Sequence, residues 1–262
     1  MAQILQFNRS IFIDSSNIEE VKMWNSTGII DGVTTNQSIM LKDGLNIKDF
    51  EKVVKLICKE MGKKPVSVEI TDSSSSVKEM IKEAKRMNSF ASNIVVKVPL
   101  IPDTTKSLEV IQALVPLNIA VNVTAIMTFE QMVVSALATR YCSRPSFISL
   151  FWGRSAEDQV KYRGRFDFMA DYRRVGLESS VNNDPKNIVV ATASFLKEGG
   201  LNNPKIIVGS IRTATMVGEA FAAGTHIVTI TPEILLAMLF SQRTIETIEQ
   251  FDTDWKKLQE KK

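Results

Sequence analysis

A lysine lies inside an apolar, strand-like segment, Ile94 to Val98, where a charged side chain is unusual. Burial disfavours an ammonium ion, and the neutral amine that results is a nucleophile able to attack a carbonyl carbon. Lys97 therefore indicates Schiff-base chemistry. The alternative is a structural lysine at a strand end, paired with a carboxylate such as Glu69 or Asp14.

Other candidate residues stand at or just after the carboxyl ends of further strand-like segments. If these strands are parallel, their ends meet at one face and the side chains lie close together. Glu69 and Asp14 beside an amine suit imine chemistry, since one carboxylate can relay protons through a water while the other takes a proton from a substrate hydroxyl. The remaining candidates at these strand ends are Asn36, Asn122, Thr124, Ser149, Phe151, Arg154, Ser210 and Arg212.

Two arginines, Arg154 and Arg212, follow the sixth and seventh strand-like segments. In barrel proteins the last two strand-to-helix loops frequently bind phosphate, and the guanidinium fork donates two parallel hydrogen bonds to such a group. Ser210 adds a hydroxyl or a backbone donor. The pattern predicts a phosphate site, the alternative being two ordinary surface arginines.

Short apolar, often β-branched segments alternate with stretches of helical periodicity along the whole chain. Eight such pairs in about 250 residues are what a (β/α)8 TIM barrel requires, here as a single domain over residues 1–262 with a C-terminal helix. A doubly wound open sheet is the competing architecture, but FIDSSN stands where its glycine-rich turn belongs. The predicted strands are Ile11 to Ile13, Gly28 to Val33, Val66 to Ile70, Ile94 to Val98, Ile119 to Val123, Phe147 to Phe151, Lys205 to Val208 and Ile227 to Ile230.

The composition is that of an ordinary globular protein, with 44% hydrophobic and 23% charged residues among 262. This excludes a disordered chain. The formal net charge of +3 gives no reason to expect a nucleic acid or membrane partner, and no segment reaches the ~20 apolar residues of a membrane helix. Cys58 and Cys142 have no metal or redox spacing, so we expect buried free thiols in a cytoplasmic protein and no metal site.

Seven segments, in order along the predicted strands, resemble those of the transaldolase family, in particular its short, barrel-only members related to fructose-6-phosphate aldolase. They are FIDSSN, GVTTNQS, VSVEI, IVVKVP, NVTAI, SLFWGR and VGSIR. The resemblance runs from about Ile11 to Trp255 and is weakest between Ser155 and Asn203. It implies the barrel fold, phosphorylated sugar substrates, and no metal or organic cofactor.

The resemblance also implies a role for each matched residue. Lys97 would form the Schiff base with a ketose phosphate, and Asp14 would take the C4 hydroxyl proton during carbon–carbon cleavage. Glu69 and Thr124 would hold the water that shuttles protons. The implied substrate-binding residues are Asn36, Asn122 and Ser149 for the dihydroxyacetone unit, and Arg154, Ser210 and Arg212 for the phosphate.

Related aldolases join free dihydroxyacetone to glyceraldehyde phosphate, and they carry Gln at the position of Glu69 and Tyr at that of Phe151. Both positions here hold the transaldolase residue. A tyrosine hydroxyl could protonate the enamine and release the three-carbon unit, whereas phenylalanine has no proton to give. We therefore expect transfer from sedoheptulose 7-phosphate or fructose 6-phosphate to an aldose phosphate, with an aldolase as the alternative.

The sequence departs from the family at Leu150, where proline is usual, and at Trp152, where a small aliphatic residue is common. A tryptophan beside Arg154 would narrow the acceptor side, so a modified sugar, for example a sulfonated one, is a second alternative. A barrel that binds a phosphosugar or a partner without catalysis is the third.

Three further features lie outside the predicted site. The segment from Ser155 to Lys186 mixes basic and aromatic residues, which suits RNA, a phosphorylated ligand or a solvated helix. His226 is predicted to be a core or surface histidine. Small family members are often rings of five or ten subunits, so we expect a homo-oligomer, with Trp255 of the terminal helix on the barrel or on a neighbouring subunit.

Overall fold

The apolar segments form strands in a computed structural model, which describes residues 7–102, 104–161 and 184–260. All eight predicted strands are present, and the largest differences are at the second and fifth, which start and end later than predicted. The strands are β1 (Ser10–Asp14), β2 (Ile30–Thr34), β3 (Val66–Glu69), β4 (Ile94–Pro99), β5 (Val121–Ile126), β6 (Ser146–Phe151), β7 (Pro204–Gly209) and β8 (Ile227–Ile230).

The eight strands close into a barrel in their order along the chain. Every neighbouring pair is parallel, and β1 pairs with both β2 and β8. Closure confirms the predicted (β/α)8 barrel and excludes the doubly wound sheet, which would have two open edges. The parallel order brings the carboxyl ends of all the strands to one face of the barrel.

Helices connect consecutive strands and begin at residues that the sequence marks as caps. Thr128 accepts a hydrogen bond from the backbone N–H of Gln131, whose side chain caps the Thr128 backbone in return, and Ser76 and Glu79 form the same box. The helices are α1 (Ile18–Ser26), α2 (Gln37–Lys42), α3 (Phe50–Met61), α4 (Val77–Asn88), α5 (Lys106–Leu114), α6 (Phe129–Thr139), α7 (Trp152–Lys161), α8 (Pro185–Glu198), α9 (Ala214–Ala223), α10 (Pro232–Ala237) and α11 (Gln242–Glu260). None of these described helices is long and apolar enough to cross a membrane.

The barrel interior has an apolar lower layer towards the amino-terminal ends of the strands. Phe12 and Phe147 pack edge to face there, with Phe7 against both. Gly32 is required beside them because a β-carbon at that position would overlap the Phe12 ring. The buried residues of this layer are Phe7, Phe12, Val95, Ala120, Phe147, Ile207 and Ile227.

Strand alternation places the next inward-facing residue two positions further along each strand. Lys97 follows Val95 in this way, Asn122 follows Ala120, and Ser149 follows Phe147. The layer above the apolar one is therefore polar, and it lies at the carboxyl face. The residues between these positions, such as Val96 and Ile148, belong to a second cluster that includes residues of the surrounding helices.

His226 lies just before β8, at the amino-terminal face of the barrel, and so outside the group of candidate site residues at the carboxyl face. Its Nδ1 accepts a hydrogen bond from the backbone N–H of Ile206 at 3.1 Å. Burial lowers the pKa of His226 to about 4, and the charges of Lys205 and Arg9 act in the same direction. An unfolded histidine titrates near its ordinary value of 6.5. The unfolded chain therefore binds the proton more readily between those two values, and stability falls as the pH falls through that window.

Between pH 7 and pH 4.5, the free energy of unfolding of wild type falls. With asparagine in place of His226, this fall is expected to be smaller by roughly 2 kcal/mol. The Oδ1 of the introduced asparagine can accept the same backbone hydrogen bond, but its amide does not titrate. Urea unfolding at both pH values measures the difference. Equal losses in the two proteins would mean that other groups account for the acid sensitivity.

The terminal helix α11 carries an apolar stripe that nothing in the described chain covers. No residue of α11 is buried, and Trp255 is 62% exposed. Of the two predicted positions for Trp255, the one on its own barrel is therefore wrong, and the one on a neighbouring subunit stays a prediction. Spacings of three and four residues place the stripe on one side of the helix. Its members are Ile245, Ile248, Phe251, Trp255 and Leu258.

Candidate active site

Lys97 points into the polar upper layer of the barrel and is 4% exposed. Its Nζ lies 3.3 Å from the Glu69 Oε2 and donates a hydrogen bond to the Thr35 carbonyl oxygen at 3.1 Å. Glu69 is the register partner of Lys97 on the neighbouring strand β3. The lysine–carboxylate pair considered from the sequence therefore exists. It is compatible with both interpretations, because a carboxylate in contact with an ammonium ion can also accept its proton.

Asp14 ends β1 and receives a short chain of hydroxyl hydrogen bonds. The Thr34 hydroxyl donates to the Asp14 Oδ1 at 2.6 Å and lies 2.5 Å from the Thr229 hydroxyl. Since the single proton of Thr34 goes to Asp14, Thr229 is the donor in the second contact. Burial raises the pKa of Asp14 above its ordinary value, while the positive charge of Lys97 and the Thr34 hydrogen bond oppose the rise. A carboxylate with a raised pKa is a better proton acceptor than an ordinary aspartate.

Three of the predicted site residues carry buried polar atoms without a hydrogen-bond partner in the described part of the chain. These atoms are the Asn122 Oδ1, the Thr124 hydroxyl and the Ser210 hydroxyl. The other end of the Asn122 amide is fixed, because its Nδ2 donates to the Ser67 hydroxyl at 3.2 Å. An unsatisfied buried polar atom costs about 1–3 kcal/mol. Three of them at one end of the barrel indicate a site that a polar ligand completes.

Asn36 and Ser149 lie at the edges of this group. The Asn36 Oδ1 caps α2 by accepting from the Ile39 backbone N–H at 2.9 Å, which leaves only its Nδ2 to contact a substrate. Asn36 and Glu69 also line a cavity of about 440 Å³. Its apolar walls include Met40, Leu45, Phe50 and Phe90. Ser149 is buried on β6.

The first turn of α7, directly after β6, is hydrogen-bonded at its backbone to the loop after β7. The Gly153 N–H donates to the Ser210 carbonyl oxygen at 3.0 Å, and a β-carbon at Gly153 would overlap that oxygen. Ser210 itself has φ 58°, in the left-handed region. The contact brings the segments that carry Arg154 and Arg212 together, as the phosphate prediction requires.

The two arginines are both exposed but differ in their surroundings. The Arg154 guanidinium lies 5.6 Å from the centre of the Phe151 ring, within the range of a cation–π contact. The Arg212 Nε donates to the Glu157 Oε1 at 2.8 Å. Arg212 is therefore not a free phosphate ligand, since an anion there must compete with the Glu157 carboxylate.

The two departures from the family pattern both lie in the core. Leu150 is fully buried and Trp152 is 4% exposed, and both belong to the cluster shared by the strands and helices. That Trp152 narrows the acceptor side stays a prediction, because Lys97 of the candidate site is equally buried. Helix α7 begins at Trp152, so the strand alternation ends there and the indole packs into the core.

Several polar residues of the site were missed by sequence reasoning. Thr34 and Thr229 support Asp14, Ser67 fixes Asn122, and Glu157 pairs with Arg212. The inward orientation of both threonines could have been found from strand alternation. Thr229 lies two residues after Ile227 of the apolar layer, and Thr34 lies two residues after Gly32 beside that layer. The predicted RNA or ligand contacts of the basic and aromatic residues between 162 and 183 lie outside the described residues.

Similarity to known proteins extends along nearly the whole chain. The family model described as Transaldolase/Fructose-6-phosphate aldolase matches residues 11–262. A "Probable transaldolase" of Bacillus cereus is 31% identical over 250 residues, covering 95% of this chain and 99% of the relative. A "Probable transaldolase" of Nitrosopumilus maritimus is 30% identical over 249 residues, covering 95% of each chain.

A solved structure supports the fold alone. The 2,3-dimethylmalate lyase, a member of the PEP mutase/isocitrate lyase superfamily, superposes with a TM-score of 0.52. It is 12% identical, and the alignment covers 96% of this chain and 82% of the other. At that identity the match concerns the barrel and not its chemistry.

Proposed function

Because the chain belongs to the transaldolase/fructose-6-phosphate aldolase family, we propose that it is a transaldolase that works through a Schiff base on Lys97. It would transfer a dihydroxyacetone unit from sedoheptulose 7-phosphate or fructose 6-phosphate to an aldose phosphate. The observation that carries the proposal is the buried Lys97 amine, in contact with Glu69 and in the same polar layer as Asp14.

The first steps would join the ketose to the enzyme. The deprotonated Lys97 amine attacks the C2 carbonyl carbon, and the carbonyl oxygen leaves as water when the iminium forms. Two protons must move to that oxygen. Both come from the Lys97 nitrogen, one from its ammonium form and one from the amine after it has attacked the carbonyl. Glu69 accepts each in turn and, through a water held with Thr124, passes it to the departing oxygen. The 3.3 Å contact between Lys97 and Glu69 suits this exchange.

Cleavage would then follow from Asp14. The carboxylate takes the proton of the C4 hydroxyl, the C3–C4 bond breaks, and its electrons enter the iminium to give an enamine. The aldose phosphate leaves, while the three-carbon unit stays on Lys97. Attack of the enamine on an acceptor aldehyde reverses these steps, and hydrolysis of the new iminium releases the product.

The polar atoms without partners would bind the sugar. Asn122 and Ser149, with the Nδ2 of Asn36, would contact the hydroxyls of the dihydroxyacetone unit. For the phosphate we propose Arg154, Ser210 and Arg212, and Arg212 would exchange Glu157 for the phosphate oxygens when substrate binds.

The reaction outcome is tested by separating cleavage from transfer. With fructose 6-phosphate alone, release of glyceraldehyde 3-phosphate should stop near one equivalent per site, because Phe151 has no proton for the enamine. Adding erythrose 4-phosphate should start steady turnover. Phe151→Tyr is expected to increase acceptor-free cleavage at least tenfold. Steady cleavage by wild type without acceptor would favour an aldolase, and binding without any turnover would favour a non-catalytic barrel.

A modified sugar stays an alternative, because Leu150 and Trp152 depart from the family pattern beside Arg154. If the protein is inactive with both phosphosugars, a sulfonated donor is the next substrate to test.

We also propose that the protein is cytoplasmic. The Cys58 and Cys142 thiols are both free and buried, which suits a reducing compartment.

We further propose a homo-oligomer whose contact includes the apolar stripe of α11. An exposed apolar stripe on a helix of 19 residues without one buried side chain is costly in water unless a partner covers it. Phe251→Asp with Trp255→Asp is expected to give a smaller species in light scattering. Thr253→Asp, on the opposite side of the helix, should leave the mass unchanged. A wild-type monomer would contradict the proposal.

A further inference from the structure

The end of the barrel opposite the candidate active site contains a cavity of about 820 Å³. Its floor is the apolar layer inside the barrel, through the side chains of Phe7, Val95, Ala120 and Phe147. This layer separates the cavity from the polar layer that holds Lys97. The cavity is thus a separate space, and none of the residues assigned to the proposed reaction lines it.

Three cationic side chains, Lys63, Arg144 and Lys205, line the cavity, and no aspartate or glutamate of the described residues does. Lys205 pairs with Phe147 in the β6–β7 register and lies two residues before Ile207 of the apolar layer. Its side chain therefore starts on the inner side of the barrel, directly beside the cavity floor.

Two of these cations lack the hydrogen-bond partners that the neighbouring Lys64 has. Lys64 donates to the Asn25 Oδ1 and to the Ile30 carbonyl oxygen, each at 2.8 Å. Neither Lys63 nor Lys205 makes a hydrogen bond or ion pair within the described part of the chain. Arg144 donates its Nη2 to two carbonyl oxygens, those of Ser92 and Ile94, but contacts no carboxylate there.

Burial adds to the cost of this arrangement. Lys205 is half-buried, and burial lowers its pKa without an opposing negative charge. Burial likewise lowers the pKa of Arg144. A lysine that serves only solubility would extend into water, whereas Lys205 begins inside the barrel beside an aromatic floor. An anion in the cavity would supply the missing charge.

We propose that this cavity binds a small organic anion that combines a phosphate group with an apolar ring. The phosphate would lie against Lys205, Arg144 and Lys63, and the ring would pack on Phe147 and Phe7. The volume exceeds what an inorganic phosphate ion fills, and the apolar floor gives such an ion no contact. The small net charge of +3 favours a small molecule over a nucleic acid.

The test is calorimetric titration of the full chain with phenyl phosphate, which has both features and is the smallest such probe. The active site is itself proposed to bind phosphate through Arg154 and Arg212. The titration therefore uses a double variant, Arg154→Gln with Arg212→Gln, in which that site is disabled. Saturable binding is expected to persist there. Adding Lys205→Gln or Arg144→Gln should weaken this binding at least tenfold, whereas Lys205→Arg should keep it. Lys52→Gln, at an exposed position of α3, should change nothing.

Inorganic phosphate and phenol, titrated separately, are each expected to bind at least tenfold more weakly than phenyl phosphate. The proposal is overturned if the Arg154→Gln, Arg212→Gln chain shows no saturable binding, or if binding is unaffected by Lys205→Gln and Arg144→Gln. Inorganic phosphate binding as tightly as phenyl phosphate would overturn the role of the apolar floor. Because the active-site arginines are absent throughout, none of these outcomes depends on the proposed transaldolase reaction.

Discussion

Replacing Lys97 with methionine is expected to lower transfer by at least roughly 10⁴-fold and to abolish the covalent adduct that borohydride traps. Methionine has a similar length and no amine, so the iminium cannot form and the carbanion has no electron sink. In wild type incubated with fructose 6-phosphate, borohydride should reduce the intermediate to a three-carbon adduct on the peptide that contains Lys97. Mass spectrometry of the digested protein measures both the adduct and its position.

The matched control is Lys205→Met, which removes the other lysine whose side chain starts inside the barrel, at the opposite end. It should keep the adduct on Lys97. Because Lys97→Met leaves the Glu69 carboxylate without its partner, thermal unfolding must show that the variant is folded. An adduct on another lysine, or transfer that survives in folded Lys97→Met, would contradict the assignment.

The barrel, and the common location of several candidate site residues inside it, could be predicted because strand alternation is a local property of the sequence. Once Val95 is placed inside the barrel, Lys97 must also point inside, since the two lie two residues apart on β4. The same rule places Asn122 and Ser149. Parallel pairing in chain order then brings these positions to one face, without any information on long-range contacts.

What could not be predicted depends on contacts between distant parts of the chain. The Arg212–Glu157 ion pair joins residues 55 positions apart, and it requires that α7 and the loop after β7 be adjacent. Strand alternation places Thr34 and Thr229 inside the barrel, but the contact between their hydroxyls joins residues 195 positions apart. The burial of Trp152 in the core cluster could not be predicted from strand alternation, because the period changes from two to 3.6 where α7 begins.

The exchange of Asp14 for asparagine is expected to separate imine formation from cleavage. Asparagine has the same shape, and its Oδ1 can still accept the Thr34 hydrogen bond, but it cannot take the C4 hydroxyl proton. Loss of a general base lowers the rate of its step by roughly 10²–10⁴-fold. Lys97 and Glu69 are unchanged, so the iminium should still form. Borohydride should therefore trap the whole six-carbon ketose phosphate on Lys97, where wild type gives the three-carbon adduct.

The pH dependence provides a second readout for the same residue. Asp14 must be ionised to act as a base, and burial raises its pKa. As the pH is lowered, the rate of transfer by wild type should therefore begin to fall at a higher pH than it would if Asp14 had the pKa of an ordinary aspartate. The residual activity of Asp14→Asn should lack this decline. Asp43→Asn is the matched control, because Asp43 accepts a hydrogen bond from Ser16 and lies near enough to influence Asp14 electrostatically. It should keep the three-carbon adduct. A three-carbon adduct formed by Asp14→Asn at the wild-type rate would assign the cleavage step to another base.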